Sequence, residues 1–303
     1  MTVSEQIEQR HQEDLQRLRG FRLLDDDFLT KCFEGNTECI QLVLQIVLEI
    51  PDLEVVDSRT QVFVENLLKR SVRLDVLATD STGRKINVEI QRADRGAGRK
   101  RARYNSSMMD ANLLQKGEDF DALPETYVVF ITEHDVIGDG QPLYQIERYI
   151  TGSGKKFDDG SHILYVNGEY RAETPLGKLM HDFSCTNPAD MHYAVLAERV
   201  KFFKESKEGI SIMCKVMEDM RNASLQEGIQ IGRQEGLQEG RQKGRQEGLQ
   251  EGRQEGLQEG KRETMLVTAR KMLDLGKYAL DEIAQIAGLS LDEVKKLQAN
   301  QNI

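Results

Sequence analysis

The sequence predicts an α/β protein that continues into a helical C-terminal tail. Two observations predict the α/β part: strand-like apolar patterns lie in the middle of the chain, and helical periodicity precedes and follows them. A third observation sets the tail apart, because glycine recurs at every fourth position from residue 228 to residue 260. With 303 residues the chain is long enough for two domains.

The N-terminal part is predicted to be helical. Residues 1–23 form one polar helix with few apolar positions. Three aspartates at 25–27 offer N-caps for a helix that begins near Phe28. Gly35 and Asn36 separate it from a second helix over 40–50, which Pro51 ends.

Strands follow at 72–79, 86–93 and 126–132, with a basic helix over about 97–115 before the last of them. The core order is therefore β-β-α-β. Residues 140–173 are predicted as loops with one short strand at 163–168. Helices resume over 191–207 and 209–223.

The first two strands flank Ser81-Thr82-Gly83, a three-residue hairpin loop with glycine where a left-handed residue is needed. This loop fixes the register, so Asp75 faces Glu89. Alternation along the strands aligns Asp75, Glu89 and Gln91 on one polar face. On the first strand it places four apolar residues on the other face: Val72, Leu74, Val76 and Ala78.

Two directly opposed carboxylates lie with their Cβ atoms about 4.5–5.5 Å apart and repel each other unless a cation or a proton lies between them. Oxygen ligands suit Mg²⁺ or Mn²⁺, and such an ion activates water and neutralises phosphodiester charge. The pattern thus predicts a metal site at Asp75 and Glu89. The alternative is an edge hairpin whose carboxylates face solvent beside arginines.

Positive charge is concentrated next to this pair. Residues 84–104 hold eight basic and two acidic residues, whereas the whole chain carries a net charge of −10. Gly96 and Gly98 leave the N-terminal amides of the basic helix accessible to a phosphate. This arrangement is typical of proteins that act on a phosphate backbone.

The spacing Asp75-x13-Glu89-x-Gln91, followed by a basic helix with Arg101-Ala102-Arg103-Tyr104 and a strand, resembles the PD-(D/E)XK nuclease superfamily. The Val-Glu-Ile-Gln core and the Gln-Glu-Gly tail together resemble its recombination-promoting nuclease/transposase family, over residues 24–260. The resemblance implies a restriction-endonuclease-like core at 24–180, with a mixed central sheet flanked by helices. It also implies Mg²⁺-dependent DNA cleavage in bacterial cells, linked to recombination or mobile elements.

Carried over position by position, Asp75 and Glu89 match the metal-binding acids. Gln91 stands where the superfamily usually has lysine, and it can position groups only by neutral hydrogen bonds. An acid on the first helix completes the family's site, and here Glu34 and Glu38 both remain candidates. The residues expected to bind the DNA backbone are Arg92, Arg99, Arg101 and Arg103.

A helical extension over 181–225 leads to the glycine repeat at 226–262, whose seven acidic and seven basic residues cancel. The repeat is either a solvated spacer or a helix that pairs two subunits. It has too few apolar positions for an ordinary coiled coil.

Residues 263–303 fit a helix-turn-helix, with Ala284 at the helix contact, Gly288 in the turn, and Val294 and Leu297 in the second helix. This tail binds either a protein partner or DNA. Acidic residues open its second helix, which disfavours DNA contact.

Four dispersed cysteines, no signal peptide and no long apolar stretch predict a cytoplasmic protein rather than a secreted or membrane one. The first functional hypothesis is a Mg²⁺- or Mn²⁺-dependent DNA endonuclease that forms a homo-oligomer through its C-terminal helices. The alternative is a catalytically degenerate protein that only binds DNA and oligomerises.

Overall fold

The computed structural model describes residues 3–64, 71–92 and 94–301, and within these ranges it contains a six-stranded mixed sheet. The strands are β1 (Val55–Val64), β2 (Val72–Asp80), β3 (Lys85–Gln91), β4 (Thr126–Thr132), β5 (Leu143–Ile146) and β6 (Ser161–Asn167). Their order across the sheet is β1-β2-β3-β4-β6-β5. The first three strands pair antiparallel, β3, β4 and β6 are parallel, and β5 is antiparallel to β6.

Helices precede, interrupt and follow the sheet. They are α1 (Val3–Gly20), α2 (Asp26–Phe33), α3 (Thr37–Val47), α4 (Arg99–Ala111), α5 (Pro175–Ser184), α6 (Ala194–Glu205), α7 (Lys207–Leu275), α8 (Leu280–Ala287) and α9 (Leu291–Gln301). The α/β class and the mixed sheet with flanking helices are confirmed. The sequence patterns had missed β1 and α5, and the predicted end of the second strand at Ala93 lies outside the described residues.

Two hydrophobic clusters cover the two faces of the sheet. The larger cluster joins apolar residues of β2, β3, β4 and β6 to α1, α2, α3, α5, α6 and the first turns of α7. The smaller cluster packs α4 against the other face through Ala102, Met108 and Met109. Because the sheet is covered on both sides, several polar side chains of β2 and β3 are buried, namely those of Asp75, Asp80, Asn87 and Glu89.

The hairpin between β2 and β3 has the predicted register. Val76 pairs with Val88 and Thr79 with Lys85, so the residue numbers of each pair add up to 164. Gly83 has a φ of 91°, as the loop requires. Asp80 fixes the loop, since its carboxylate accepts hydrogen bonds from the backbone N–H groups of Thr82 and Arg84.

The predicted alternation along β2 is wrong at one point. Val76 and Ala78 pack in the larger cluster, but Leu74 and Val72 pack on the α4 side with Leu77. The partners of Leu74 and Val76 on β1 are Val62 and Thr60, and Gln61 between them has a φ of 52°. This left-handed residue breaks the regular pleat beside Asp75.

The chain divides into two compact units, one up to Arg221 and one from Asn222 onward. In the first unit, α1 is joined to the N-terminal part of α7 by an ion pair of 2.5 Å between Asp14 and Arg221. The residues of α5 and α6 contribute to the larger cluster, so these helices share the core of the sheet.

In the second unit, the residues of α7 from 222 to 264 are all exposed. The end of α7 packs with α8 and α9 around Ala269, Ile283, Ala284 and Val294. Gly288 ends α8 with a φ of 70°. Across the described ranges, no helix combines the length and apolar character that a membrane span requires.

Candidate active site

Strands β2 and β3 bring the two predicted acids together. Asp75 is 6% exposed and Glu89 is fully buried. The carboxylate of Asp75 accepts a hydrogen bond from the backbone N–H of Ile90 at 3.0 Å, directly beside Glu89. The alternative of a solvated edge hairpin is therefore wrong, because both acids lie inside the protein.

The Glu89 carboxylate is held by two side-chain donors. Asn87 donates to one oxygen at 3.0 Å, and Arg101 of α4 donates to the other at 2.8 Å. Hydrogen bonds from a charged donor are stronger than neutral ones, so Arg101 is the principal partner of this acid.

Burial raises the pKa of both acids, and the charge of a neighbouring acid adds to the rise in each case. For Asp75, desolvation and then the charge of Glu89 raise the pKa to about 8, against the opposing effect of the Ile90 N–H. For Glu89, desolvation raises the pKa, while Asn87 and Arg101 oppose the rise. Two such carboxylates ionise together only when a cation joins them.

A third acid, Asp26, lies close enough to raise the pKa of both Asp75 and Glu89. It occupies the first turn of α2. The residue keeps a solvent-exposed edge, yet desolvation of its carboxyl group, together with the charge of Asp27, raises its own pKa.

The structure places the two acids proposed on the first helix elsewhere. Glu34 follows the last residue of α2 and pairs with Lys31 at 2.7 Å, and Glu38 opens α3. From the sequence, the aspartates at 25–27 are predicted only as helix caps. An acidic first turn on the helix before the hairpin was the signal that would have identified Asp26.

Gln91 ends β3, opposite Thr132 of β4. Its side-chain amide lies against Gly96, so closely that a Cβ added at residue 96 would be 1.6 Å from Oε1 of Gln91. The same Cβ would be 3.5 Å from the guanidinium of Arg101. Gly96 therefore leaves room for the Gln91 amide beside Arg101.

The four arginines assigned to the DNA backbone have different environments. Arg92 pairs with Asp25 at 2.6 Å and Glu133 at 3.3 Å, whereas Arg101 pairs with Glu89. Arg99 lines a cavity of about 360 Å³ with Tyr144 and Tyr165, and Arg103 is exposed on α4. Of the four, only Arg101 contacts the acid pair.

The donor set of this site fits a hard divalent cation. Asp75 and Glu89 supply carboxylate oxygens, and Asp26 of α2 is near enough to act on both electrostatically. Among the described residues, Oδ1 of the fully buried Asn87 has no hydrogen-bond partner. Carboxylate and amide oxygens are the ligands that Mg²⁺ and Mn²⁺ prefer. Burial is the main reason that the pKa values of Asp75 and Glu89 are raised, and a bound cation would favour the charged form of both acids.

A second group of possible ligand atoms lies away from these strands, on α5 and the loop before α6. It consists of His181, Asp182 and His192, whose ligand atoms lie within 4.8 Å of one another. Asp182 already accepts hydrogen bonds from the backbone N–H groups of His192 and Tyr193, each at 2.8 Å. This buried acid therefore fixes the loop after α5, independently of the acids on β2 and β3.

Comparison with known proteins agrees with this geometry. Residues 3–174 match the family described as PD-(D/E)XK nuclease family transposase, a match that begins with α1 and ends directly before α5. No curated protein and no solved structure matches the chain. The matched part is more than half of the 303 residues and contains Asp26, Asp75 and Glu89. The chain therefore belongs to the PD-(D/E)XK nuclease family transposases.

Proposed function

We propose that the protein is a Mg²⁺-dependent endonuclease that hydrolyses phosphodiester bonds in DNA. The observation that carries the proposal is the buried pair of Asp75 and Glu89, with Asp26 at its edge. Family membership supports nuclease activity. Burial supports it independently, because an ionised Asp75 beside Glu89 is unfavourable without a compensating cation, and Arg101 pairs with Glu89 rather than with Asp75.

In this proposal Asp75 and Glu89 hold Mg²⁺ or Mn²⁺, and Asp26 completes the acidic cluster. The bound ion would supply Lewis-acid activation of water and neutralise charge on the phosphate. Gln91, whose amide is placed by Gly96, orients the attacking water by hydrogen bonding. The exposed side chains of Lys100 and Arg103 on α4 attract the DNA backbone.

The cellular role that we propose is consistent with the family described as PD-(D/E)XK nuclease family transposase. A transposase-related nuclease acts on DNA in recombination or on mobile elements, and we place it in the bacterial cytoplasm. The four cysteines support this location, since all are free and two of them, Cys32 and Cys39, are buried in the core.

We also propose that α7 joins copies of the chain into a homo-oligomer. Residues 222–264 of this helix are exposed, including apolar side chains such as Ile229, Leu237 and Leu249. Each glycine in a helix costs about 1 kcal/mol relative to alanine. The glycines at every fourth position from 228 to 260 form a stripe along α7. Close packing of a second helix against this glycine stripe would offset that cost.

One observation favours the second candidate, a DNA-binding protein without catalysis. The charge of Glu89 is already neutralised by Arg101 at 2.8 Å, while Gln91 contributes no charge. In that case the clustered acids would be a remnant of a metal site, and α7 would carry the function.

Nicking of supercoiled plasmid DNA distinguishes the two candidates. The endonuclease proposal expects nicking in Mg²⁺ or Mn²⁺ that EDTA abolishes and that Asp75→Asn lowers by at least about 10³-fold. Glu34→Gln is the matched control, because this exposed acid at the end of α2 pairs only locally with Lys31. Purified protein that binds DNA but does not nick it in either metal would support the second candidate.

A further inference from the structure

The site lacks a positive charge at position 91, where the residue is Gln91. A lysine there would place an ammonium beside the acid pair, whereas the glutamine amide is neutral. The Gln91 amide is confined by Gly96, so its position is set by backbone contact rather than by an ion pair. A site for phosphodiester cleavage needs positive charge near the phosphate in addition to a metal ion.

Arg101 lies where that charge is missing. Its Nη2 donates to Glu89 at 2.8 Å and its Nη1 donates to the carbonyl of Gly96 at 3.1 Å. The guanidinium carbon lies 6.0 Å from the ring centroid of Phe130, the β4 residue that pairs with Glu89. Three separate contacts therefore hold the guanidinium between the acid, the residue-96 backbone and the sheet.

The burial of the two partners differs in a way that suits a substrate contact. The Glu89 side chain is 0% exposed, but the Arg101 side chain is 41% exposed. Arg101 thus contacts the buried acid and the Gly96 carbonyl, and part of its side chain remains exposed to solvent, from which DNA would arrive. Guanidinium groups bind phosphate through paired N–H donors, so Arg101 has donors for both partners.

The other arginines near the site have different partners. Arg92 is paired with Asp25 and Glu133, and Arg99 lies among the residues that line the cavity beside Tyr165. Arg101 also acts electrostatically on Asp75 and Asp26, and so its charge reaches all three acids.

We propose that Arg101, from helix α4, replaces the lysine that is absent at position 91: it holds Glu89 in the free protein and binds the phosphate that is cut. The proposal rests on the endonuclease function and assigns a catalytic residue to it. It makes Arg101 a competitor of the metal for Glu89 and a partner of the DNA. Loss of Arg101 therefore has opposite effects on metal binding and on cleavage.

The test uses the full-length chain with Arg101→Gln, and Arg59→Gln as a matched control that removes the same charge from an exposed side chain of β1, where Arg59 pairs only with Asp57 among the described residues. Calorimetric titration with Mn²⁺ alone, without DNA, should show affinity raised at least about threefold in Arg101→Gln, because Glu89 is released. Nicking should fall by about 10² to 10³-fold, the usual effect of losing one charged stabilising group. Arg59→Gln should change both by less than about threefold.

Rescue separates a missing charge from a damaged fold. Arg101→Gln combined with Gln91→Lys should recover at least about tenfold of the lost nicking, because the charge returns from β3. Arg101→Gln with nicking within twofold of the original chain would overturn the proposal. A parallel loss of Mn²⁺ affinity and nicking, without rescue by Gln91→Lys, would also overturn it and indicate a structural role.

The Mn²⁺ titration keeps this proposal separate from the endonuclease function. If the original chain binds Mn²⁺ but never nicks DNA, the endonuclease function fails. The assignment of Arg101 as a catalytic residue fails with it, whereas a rise in Mn²⁺ affinity in Arg101→Gln would still establish the contact with Glu89 as a competing ion pair.

Discussion

Asp75 on β2 and Ile90 on β3 are joined by a hydrogen bond of 3.0 Å from the backbone N–H of Ile90 to the Asp75 carboxylate. This bond fixes the Asp75 carboxylate to the backbone of the residue that follows Glu89. The relative placement of Asp75 and Glu89 therefore does not depend on flexible side chains alone. Substitutions of similar shape should preserve it and report on charge.

Asp75→Asn should stabilise the metal-free protein. The substitution removes a buried charge that faces Glu89 and Asp26, while its amide oxygen still accepts the Ile90 hydrogen bond. We expect the free energy of unfolding at pH 8 to rise, by about 1.4 kcal/mol for each unit by which folding raises the pKa of Asp75. Urea denaturation without divalent ions measures it.

Glu89→Gln should behave differently, because it removes the partner of Arg101 and weakens its hydrogen bond. We expect no gain in stability from this change. Both variants should lose the increase in melting temperature that Mg²⁺ gives the original chain. A Mg²⁺ effect that persists in both would place the ion elsewhere.

The raised pKa of Asp75 predicts a pH dependence with a definite sign. Between about pH 4 and pH 8 the folded protein retains a proton on Asp75 that the unfolded chain has lost. Stability in the absence of metal therefore falls as the pH rises through this window. Because other groups titrate as well, the measurement is the difference in unfolding free energy between the original chain and Asp75→Asn.

That difference should be small at pH 4 and grow toward pH 8. Stabilisation by Mg²⁺ should rise with pH over the same range, since the ion binds the ionised pair. A difference that stays constant with pH would show that Asp75 titrates normally in the folded protein.

Gly96→Ala should displace Gln91. A Cβ at residue 96 would be 1.6 Å from Oε1 of Gln91, so the amide must move. If Gln91 positions the attacking water, Gln91→Ala and Gly96→Ala should each slow nicking, by up to about 10²-fold, and the double variant should be no slower than Gln91→Ala. Initial rates of plasmid nicking provide the measurement.

Gly98→Ala is the control for this experiment. Gly98 precedes α4 with a φ of −62°, and a Cβ there meets nothing within 4 Å. It should leave the rate unchanged. Additive losses in the double variant of Gln91 and Gly96 would mean that Gly96 acts by another route.

The glycine stripe of α7 should control association. Replacing Gly236, Gly240 and Gly244 with alanine raises intrinsic helix stability by about 1 kcal/mol per position but adds a methyl group to each approach point. If two copies pack at the stripe, the sedimentation mass should fall toward the monomer although helicity increases. An unchanged mass would favour the solvated spacer.

Local pattern was enough to predict the acid pair. A three-residue loop with glycine at 83 determines which residues face each other, and the four pairs from Val76–Val88 to Thr79–Lys85 follow from it. For this reason the pairing of Asp75 with Glu89 could be predicted from the sequence. Strand β1 was missed because most of its residues are exposed or half-buried and show no clear alternation.

Contacts between elements that lie far apart in the sequence could not be predicted in the same way. The approach of Asp26 to the pair depends on how α2 packs on the sheet, and that of Arg101 depends on how α4 packs against β2, β4 and β6. Leu74 packs on the α4 side of the sheet, beside the left-handed residue Gln61. No glycine in the sequence marks this left-handed position. In each case tertiary packing decides, and the sequence contains no spacing rule for it.

A crystal structure of the full-length protein grown in Mn²⁺, with the ion located by anomalous scattering, tests the central claim most directly. The account predicts an anomalous peak between the carboxylates of Asp75 and Glu89, with its ligands at about 2.0–2.3 Å, and no such peak in Asp75→Asn. A protein that nicks DNA in Mn²⁺ but has its peak at His181 and His192, or no peak between Asp75 and Glu89, would contradict the account.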